Sequence, residues 1–456
     1  MSANTIDAGR SDSLRTTITR RQWLTLVGTT LGWGLEGFDV SLFALIAVPA
    51  VKDLLGPDAS SAEIRFHAGL GITIFLLGWT VGGLLLGFLS DYFGRVRILT
   101  FAVAAYAVFT ALSAASDEFW QLAVLRFLAG LGSGVEAPVG AVLMAETWNN
   151  RYRARAIGIM MSGYAGGFFL ASVAYAVVGV HGWRTTILLA VIPAVVAVFV
   201  RRFVEEPEAM VEVRRLRAER KAARVIGPED RFVLWRLFSP PLLGRMLASL
   251  LLQTGALFAF WSVTTWTPTI ITQLATADGK GPAAIVTSVS TATAMLNLGG
   301  VIGYATWGFI ADVVGRRYTF IISFVASATG IAILFPFPHS YHIYLWILPL
   351  VGFGIFGALG GVCVYIPELF PTSTRVSALV VGNSVGRLLT APGPLIAGSI
   401  ASRYFHGNLG TAVTVIAALM LLTIIGALAG PETKGVALEQ TVTPVIEPHL
   451  TKGVQP

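Results

Sequence analysis

Five ionisable side chains fall inside long apolar stretches of this sequence: Glu36, Asp39, Arg126, Glu136 and Arg387. Charge in a hydrocarbon layer is costly, so such residues face a cavity or a partner and carry functional information. Their types allow two chemistries. A carboxyl group that alternates between an arginine's field and a desolvated setting takes up and releases a proton. A guanidinium without an internal counter-ion holds a carboxylate through a two-pronged fork. Covalent and metal chemistry find no such support. The six histidines, at 67, 181, 339, 342, 406 and 448, lie in loops or at the ends of apolar stretches, and the single cysteine, Cys363, lies in an apolar run. With no nucleophile–base pair, ligand cluster or phosphate loop, neither an enzyme nor a cofactor or metal site is expected.

The elements that must position these charges are membrane spans. The chain has 456 residues, 55% hydrophobic and 12% charged, with a mean hydropathy of +0.72. Twelve apolar stretches can each cross a hydrocarbon core roughly 30 Å thick: 22–50, 66–90, 97–116, 119–147, 154–179, 184–204, 242–274, 283–311, 317–336, 342–369, 376–402 and 410–429. This predicts an all-α membrane protein with bundles at 22–204 and 242–429. A linker at 205–241 joins them, and polar tails cover 1–21 and 430–456. The first 22 residues are polar and basic without a cleavable apolar segment, so the first span is expected to stay as an anchor. With the N-terminus inside, the cytoplasmic segments hold 24 Arg and Lys and the external ones 5. That bias orients both termini to the cytoplasm of a cell inner membrane and accounts for the high pI without nucleic acid. The linker, rich in Glu, Arg and Ala from Glu205 to Arg224, reads as a lipid-surface helix or as a plain tether.

Depth follows from the helical rise. Asp39 lies roughly 25 Å into the first span and Arg126 roughly 10 Å down the fourth from the opposite face, so the two meet at comparable depth. They are expected to pair, as a proton site or as a structural ion pair. Glu136, in Gly132-Ser-Gly-Val-Glu136-Ala-Pro138, is a second proton site or an ordering group for a neighbouring helix, with Pro138 loosening the backbone beside it. Arg387 lies roughly 18 Å into the eleventh span, near the midplane. No acidic residue of the second-half spans lies at its depth, so it awaits a substrate carboxylate or pairs across the cavity with Glu36 or Glu136. Gln253, Asn297 and Asn383 offer amides at mid-depth, and Tyr164 and Trp261 are further cavity candidates. Trp266 suits the interfacial belt better.

Repeats show that the bundles are duplicates. Gly87-x-x-x-Asp91-x-x-Gly94-Arg95 returns as Gly308-x-x-x-Asp312-x-x-Gly315-Arg316, at an offset of 221. Glu146, seven residues before Arg153, returns as Glu368, seven before Arg375, at 222; Pro207-Glu208 returns as Pro431-Glu432, at 224. At the cytoplasmic helix ends the first glycine permits close helix approach, the second permits a tight turn, and the aspartate caps a facing helix or binds its own arginine. The Glu146–Arg153 and Glu368–Arg375 elements supply further ion pairs. Repeated at matched positions, these groups read as conformational latches.

These loop motifs, together with Pro367-Glu368-Leu369-Phe370-Pro371-Thr372 and Pro431-Glu432-Thr433-Lys434-Gly435, resemble the major facilitator superfamily. The resemblance covers the whole chain and implies two six-helix bundles moving by alternating access around a central cavity. Gly37-Phe38-Asp39 with Arg126 resembles its proton-coupled sugar symporters. Glu36-Gly37-Phe38-Asp39 is similar to the Asp-Gly-aromatic-Asp signature of aromatic acid symporters, with glutamate for the first aspartate. The element at Glu136 resembles Gly-Gly-Glu of metabolite and sialic acid symporters, with Val135 for the second glycine. Asn383-x-x-Gly386-Arg387 and Pro394 resemble the organic acid branch. The fifth span lacks the Gly-Pro element of drug antiporters, which favours uptake. The resemblance implies a proton symporter for a small organic acid, driven by the proton gradient and working as a monomer. A symporter or facilitator for a neutral sugar is the alternative.

Overall fold

The computed structural model describes residues 18–149, 151–178, 181–192, 233–337, 340–390 and 408–436, with a few single positions between them. The helices are α1 (Arg20–Leu55), α2 (Ser61–Phe93), α3 (Arg95–Leu112), α4 (Phe119–Ser133), α5 (Glu136–Thr147), α6 (Arg153–Val178), α7 (Trp183–Ile187), α8 (Val233–Leu237), α9 (Pro240–Ala277), α10 (Pro282–Val314), α11 (Arg316–Leu334), α12 (Tyr341–Leu369), α13 (Arg375–Thr390), α14 (Leu409–Ala417) and α15 (Leu421–Ala429). Eight segments among the described residues are long and apolar enough to cross a membrane, including α2, α4 with α5, α12, and α14 with α15. Span 184–204 is described through Ile192, and span 376–402 is described as a continuous helix through Thr390. The outer parts of both tails, most of the linker, and Pro207, Glu208 and Pro394 lie outside the described residues.

Local chemistry sets the helix starts. Thr19 and Gln22 form a reciprocal capping box at α1, and Ser60 and Glu63 form another at α2. The fourth span departs from expectation by being two helices, interrupted at Gly134 and Val135. Pro138 has no N–H for the carbonyl of Gly134, so the hydrogen-bond ladder lapses there and resumes with Val139 N–H to Val135 O at 2.9 Å. Glu136 therefore opens a new helix inside the bundle.

Small residues bring helices into contact where the halves meet. A side chain at Gly308 on α10 would strike the backbone of Ala154 and Arg155 on α6. One at Gly87 on α2 would meet the methyls of Val380 on α13, the nearest at 2.6 Å. Without a hydrophobic drive between lipid-solvated helices, such close packing is a main source of association.

Candidate functional site

A cavity lies between the halves, with about 600 Å³ of empty space, part of it continuous with solvent. Six aromatic residues line it: Trp33, Trp79, Tyr164, Phe260, Trp261 and Tyr304. Among its polar lining groups are Gln253, Asn383, Cys363 and Arg387. Trp33 and Tyr164 stack with ring centroids 4.4 Å apart at 20°. Gly37 on α1 packs against the backbone of Tyr164 on α6, which holds that stack in place.

Arg387 projects from α13 with its guanidinium carbon 3.8 Å above the Trp79 ring. It makes no ion pair within 4 Å among the described residues; Glu36 acts on it electrostatically from farther away. Neither Glu36 nor Glu136 is its contact partner. Gln253 is 1% exposed, and among the described residues neither of its amide atoms has a hydrogen-bond partner; Asn383 Oδ1 likewise has none there. Of the other sequence candidates, Tyr164 and Trp261 reach the cavity, whereas Asn297 and Trp266 are half-buried on α10 and α9 and do not line it. Mid-depth position alone did not specify the helix face of Asn297.

Asp39 and Arg126 come together as anticipated, with Arg126 Nη1 3.7 Å from Asp39 Oδ2. Thr110 Oγ1 donates to the same carboxylate oxygen at 3.4 Å. Arg126 is fully buried, its nitrogens donate no hydrogen bond to a described residue, and its guanidinium lies 4.8 Å from the Phe43 ring and 5.8 Å from that of Phe75. A long contact without a hydrogen bond is weaker than a forked pair, so it suits a group that must exchange partners. Glu36 and Glu136 are also buried, and no described residue other than the two themselves donates to either carboxyl. Gly32 leaves the space in which the Glu136 carboxyl lies against α1, one turn from Glu36. The two carboxyl groups lie within hydrogen-bonding reach of each other, a bond that needs a proton on one of them, in a buried region beside the cavity.

At the ends that carry the basic loops the latches are closed. Asp91 accepts from the Ser377 backbone N–H at 2.9 Å and from its hydroxyl, capping α13, and binds Arg95 at 3.1 Å. The acidic residues pair differently from the seven-residue spacing. Glu146 binds Arg375 of the other half and Arg95, each at 3.3 Å. Glu368 binds Arg153 of the other half at 2.7 Å and Arg316 at 3.0 Å, and accepts from the Thr433 hydroxyl. Asp312 accepts from Arg155 at 2.8 Å. The exchanged pairing ties one half to the other, which a pair within one half could not do.

Gly94 and Gly315 take φ of +111° and +98°, where a side chain is strained, and each starts a helix whose first N–H groups need an acceptor. Glu206 supplies it for Arg95 and Val96, and Glu432 for Arg316 and Arg317. The structural counterpart of Glu432 is thus Glu206, at an offset of 226, two residues before the Glu208 suggested by the Pro-Glu repeat.

Trp33, Trp79, Phe260, Tyr304 and Cys363 were not identified as cavity residues from sequence. Trp33 has one detectable signal, lying three residues before Glu36 and so on the same helix face. The others are aromatic or apolar residues on apolar helices, where one sequence does not separate cavity from core.

Two pseudo-symmetric helical bundles, a central cavity and latches at one end define a membrane transporter rather than an enzyme. Residues 29–394 match the Major Facilitator Superfamily, and the chain belongs to it. It is 30% identical to the cis,cis-muconate transport protein of Acinetobacter baylyi, over 84% of this chain and 90% of that one. It is 25% identical to the niacin transporter NiaP of the same organism, over 90% and 94%. Among solved structures the proton:xylose symporter XylE, bound to 6-bromo-6-deoxy-D-glucose, superposes with a TM-score of 0.74 at 18% identity, over 92% of this chain and 98% of that one.

Proposed function

We propose that this transporter carries a small, flat organic acid into the cell together with protons. The observation that carries the reading is Arg387, a guanidinium without an ion-pair partner in an aromatic cavity. A carboxylate supplies the missing counter-charge through two charge-assisted hydrogen bonds, and the surrounding rings offer faces to a conjugated body. The relatives named for cis,cis-muconate and niacin support the same class. Gln253 and Asn383 are available to a second polar group on the substrate.

Asp39 is the coupling carboxyl and Arg126 its alternating partner. Protonation releases the pair, and desolvation of the freed acid holds the proton until the cavity opens inward. One carboxylate moving with one proton is electroneutral. A second proton, held at Glu36 or Glu136, lets the membrane potential contribute about 2.3 kcal/mol per 100 mV. The three ion pairs described between the halves, Arg153–Glu368, Arg155–Asp312 and Arg375–Glu146, all lie at the latched end. In an inner-membrane orientation with both termini cytoplasmic, that end is inside, and the cavity is poised to receive solute from outside. The reading takes a single chain as the working unit and the proton gradient, without a cofactor, as the driving force.

A neutral sugar is the second reading, favoured by the two amides with unpartnered buried atoms. Counterflow in proteoliposomes separates the two. Carboxylates, but not their primary amides, exchange through the wild type, and Arg387→Ala abolishes the difference. Exchange of neutral sugars that survives Arg387→Ala would favour the sugar reading.

A further inference from the structure

The proposed substrate cation and the proposed proton pair are joined through one face of α2. Trp79 lies beneath Arg387 at 3.8 Å, and Phe75, one helical turn earlier, lies 5.8 Å from Arg126, which faces Asp39. The two rings contact each other, with centroids 6.0 Å apart at 50°. Both are buried, Phe75 at 3% and Trp79 at 4% exposure. Their backbone is held as well: Gly130 on α4 packs against the backbone of Phe75 and Trp79, and Gly134 against that of Trp79, so a change at either residue is made by its ring turning about the side-chain bonds.

We infer that Phe75 and Trp79 are positioning residues that couple substrate binding to the protonation state of Asp39. In the empty cavity Trp79 holds Arg387 by its π face, an attraction worth more when water is excluded. A carboxylate that draws the guanidinium toward itself weakens this contact and frees the Trp79 ring to reorient. Phe75 transmits the change to the guanidinium of Arg126, held between Phe43 and Phe75, and so to the length of the Asp39 contact. A physical link needs an element biased by both sites, and this ring pair contacts both arginines. Neither ring carries a proton, and Phe75 lies outside the cavity lining, so the defect expected at Phe75 is in coupling rather than in passage.

The inference rests on the proton-coupled reading, and wild-type behaviour tests that reading separately. Trp79→Leu and Phe75→Leu are compared with Trp79→Tyr and Phe75→Tyr in proteoliposomes, using a carboxylate that the wild type exchanges. Two rates are read: counterflow, and proton entry triggered by that carboxylate. Phe75→Leu, whose ring lies outside the cavity lining, keeps counterflow near the wild-type rate while proton entry per substrate falls about tenfold, an ordinary size for coupling between sites; Trp79→Leu slows counterflow as well, but its ratio of proton entry to counterflow falls by the same factor, and the tyrosine variants restore the ratio. Parallel loss of both rates, with no recovery in the tyrosine variants, would mean a merely structural role. An unchanged ratio in the leucine variants would also overturn the link. Wild-type counterflow without proton entry would instead remove the reading on which the inference rests.

Discussion

Arg387 and Glu432 show how surroundings give opposite meanings to a charge. Arg387 has no counter-ion within 4 Å among the described residues, and under the proposed function a substrate carboxylate supplies one. Loss of a charge-assisted hydrogen-bond fork costs about 1.5–3 kcal/mol, so Arg387→Ala weakens carboxylate binding roughly 10- to 150-fold, measured by calorimetry on the purified transporter. Arg387→Lys recovers only part of it, because an ammonium neither forks nor stacks flat on Trp79. Glu432 lies beyond the last span, in a fixed structural role. Burial opposes its ionisation, yet the backbone N–H groups of Arg316, Arg317, Lys434 and Thr433 outweigh this and hold its carboxyl below the usual range. A depressed carboxyl contributes stability that is present above its unfolded pKa of about 4.3 and lost as pH falls through the folded value. Glu432→Gln therefore lowers the melting temperature in detergent at neutral pH, through a loss of stability below the roughly 1 kcal/mol of a helix cap because the carboxyl is exposed to solvent. The wild-type advantage shrinks at acid pH; a pH-independent difference would contradict the assignment.

The elements were legible where apolar length decides, and illegible where a single backbone bond does. The all-α membrane fold and the order of its spans follow from hydropathy, because a bilayer leaves the backbone little choice, and the repeats mark the loop charges that the structure pairs. The split of the fourth span at Gly134 required knowing that Pro138 cuts the ladder and that the chain does not re-form around it. The exchanged Glu–Arg pairing was hidden for a related reason: sequence spacing describes one helix end, whereas the partners come from the opposite half. Close contact predicts unequal tolerance at the matched glycines. Gly308→Val meets rigid backbone on α6 and blocks closure of the latched end. Gly87→Val meets the side chain of Val380, both methyls and Cβ, rather than backbone, and is accommodated better. Limited proteolysis of the basic loops, faster for Gly308→Val than for Gly87→Val, checks this.

At the scale of the whole molecule the two latches are unequal. Glu368 binds two arginines and a threonine hydroxyl, whereas Glu146 holds two arginines at 3.3 Å and leaves one oxygen unpartnered. Removing one member of a buried pair costs about 3–5 kcal/mol, because the partner charges stay behind. Glu368→Gln therefore shifts the population toward the inward-open state more than Glu146→Gln does. Spin labels at the exposed positions Phe93 and Val313, in a Cys363→Ser background, report this as a longer distance distribution. Most of the cavity wall was not legible in the sequence. Arg387, Gln253 and Asn383 stood out because polar groups are expensive in a bilayer, whereas Trp33, Trp79 and Tyr304 are of the same types as Trp261 and Tyr164 and ring type alone does not separate cavity from core. Only the packing of the two halves shows which faces of their helices turn inward.

The central claim is that a carboxylate and a proton enter together through Arg387 and Asp39. Its most direct test is external pH in a suspension of de-energised vesicles as an aromatic or conjugated carboxylate is added outside. The account predicts alkalinisation outside for the wild type and none for Asp39→Asn or Arg387→Ala. Uptake of the acid by the wild type with no change in external pH would contradict it.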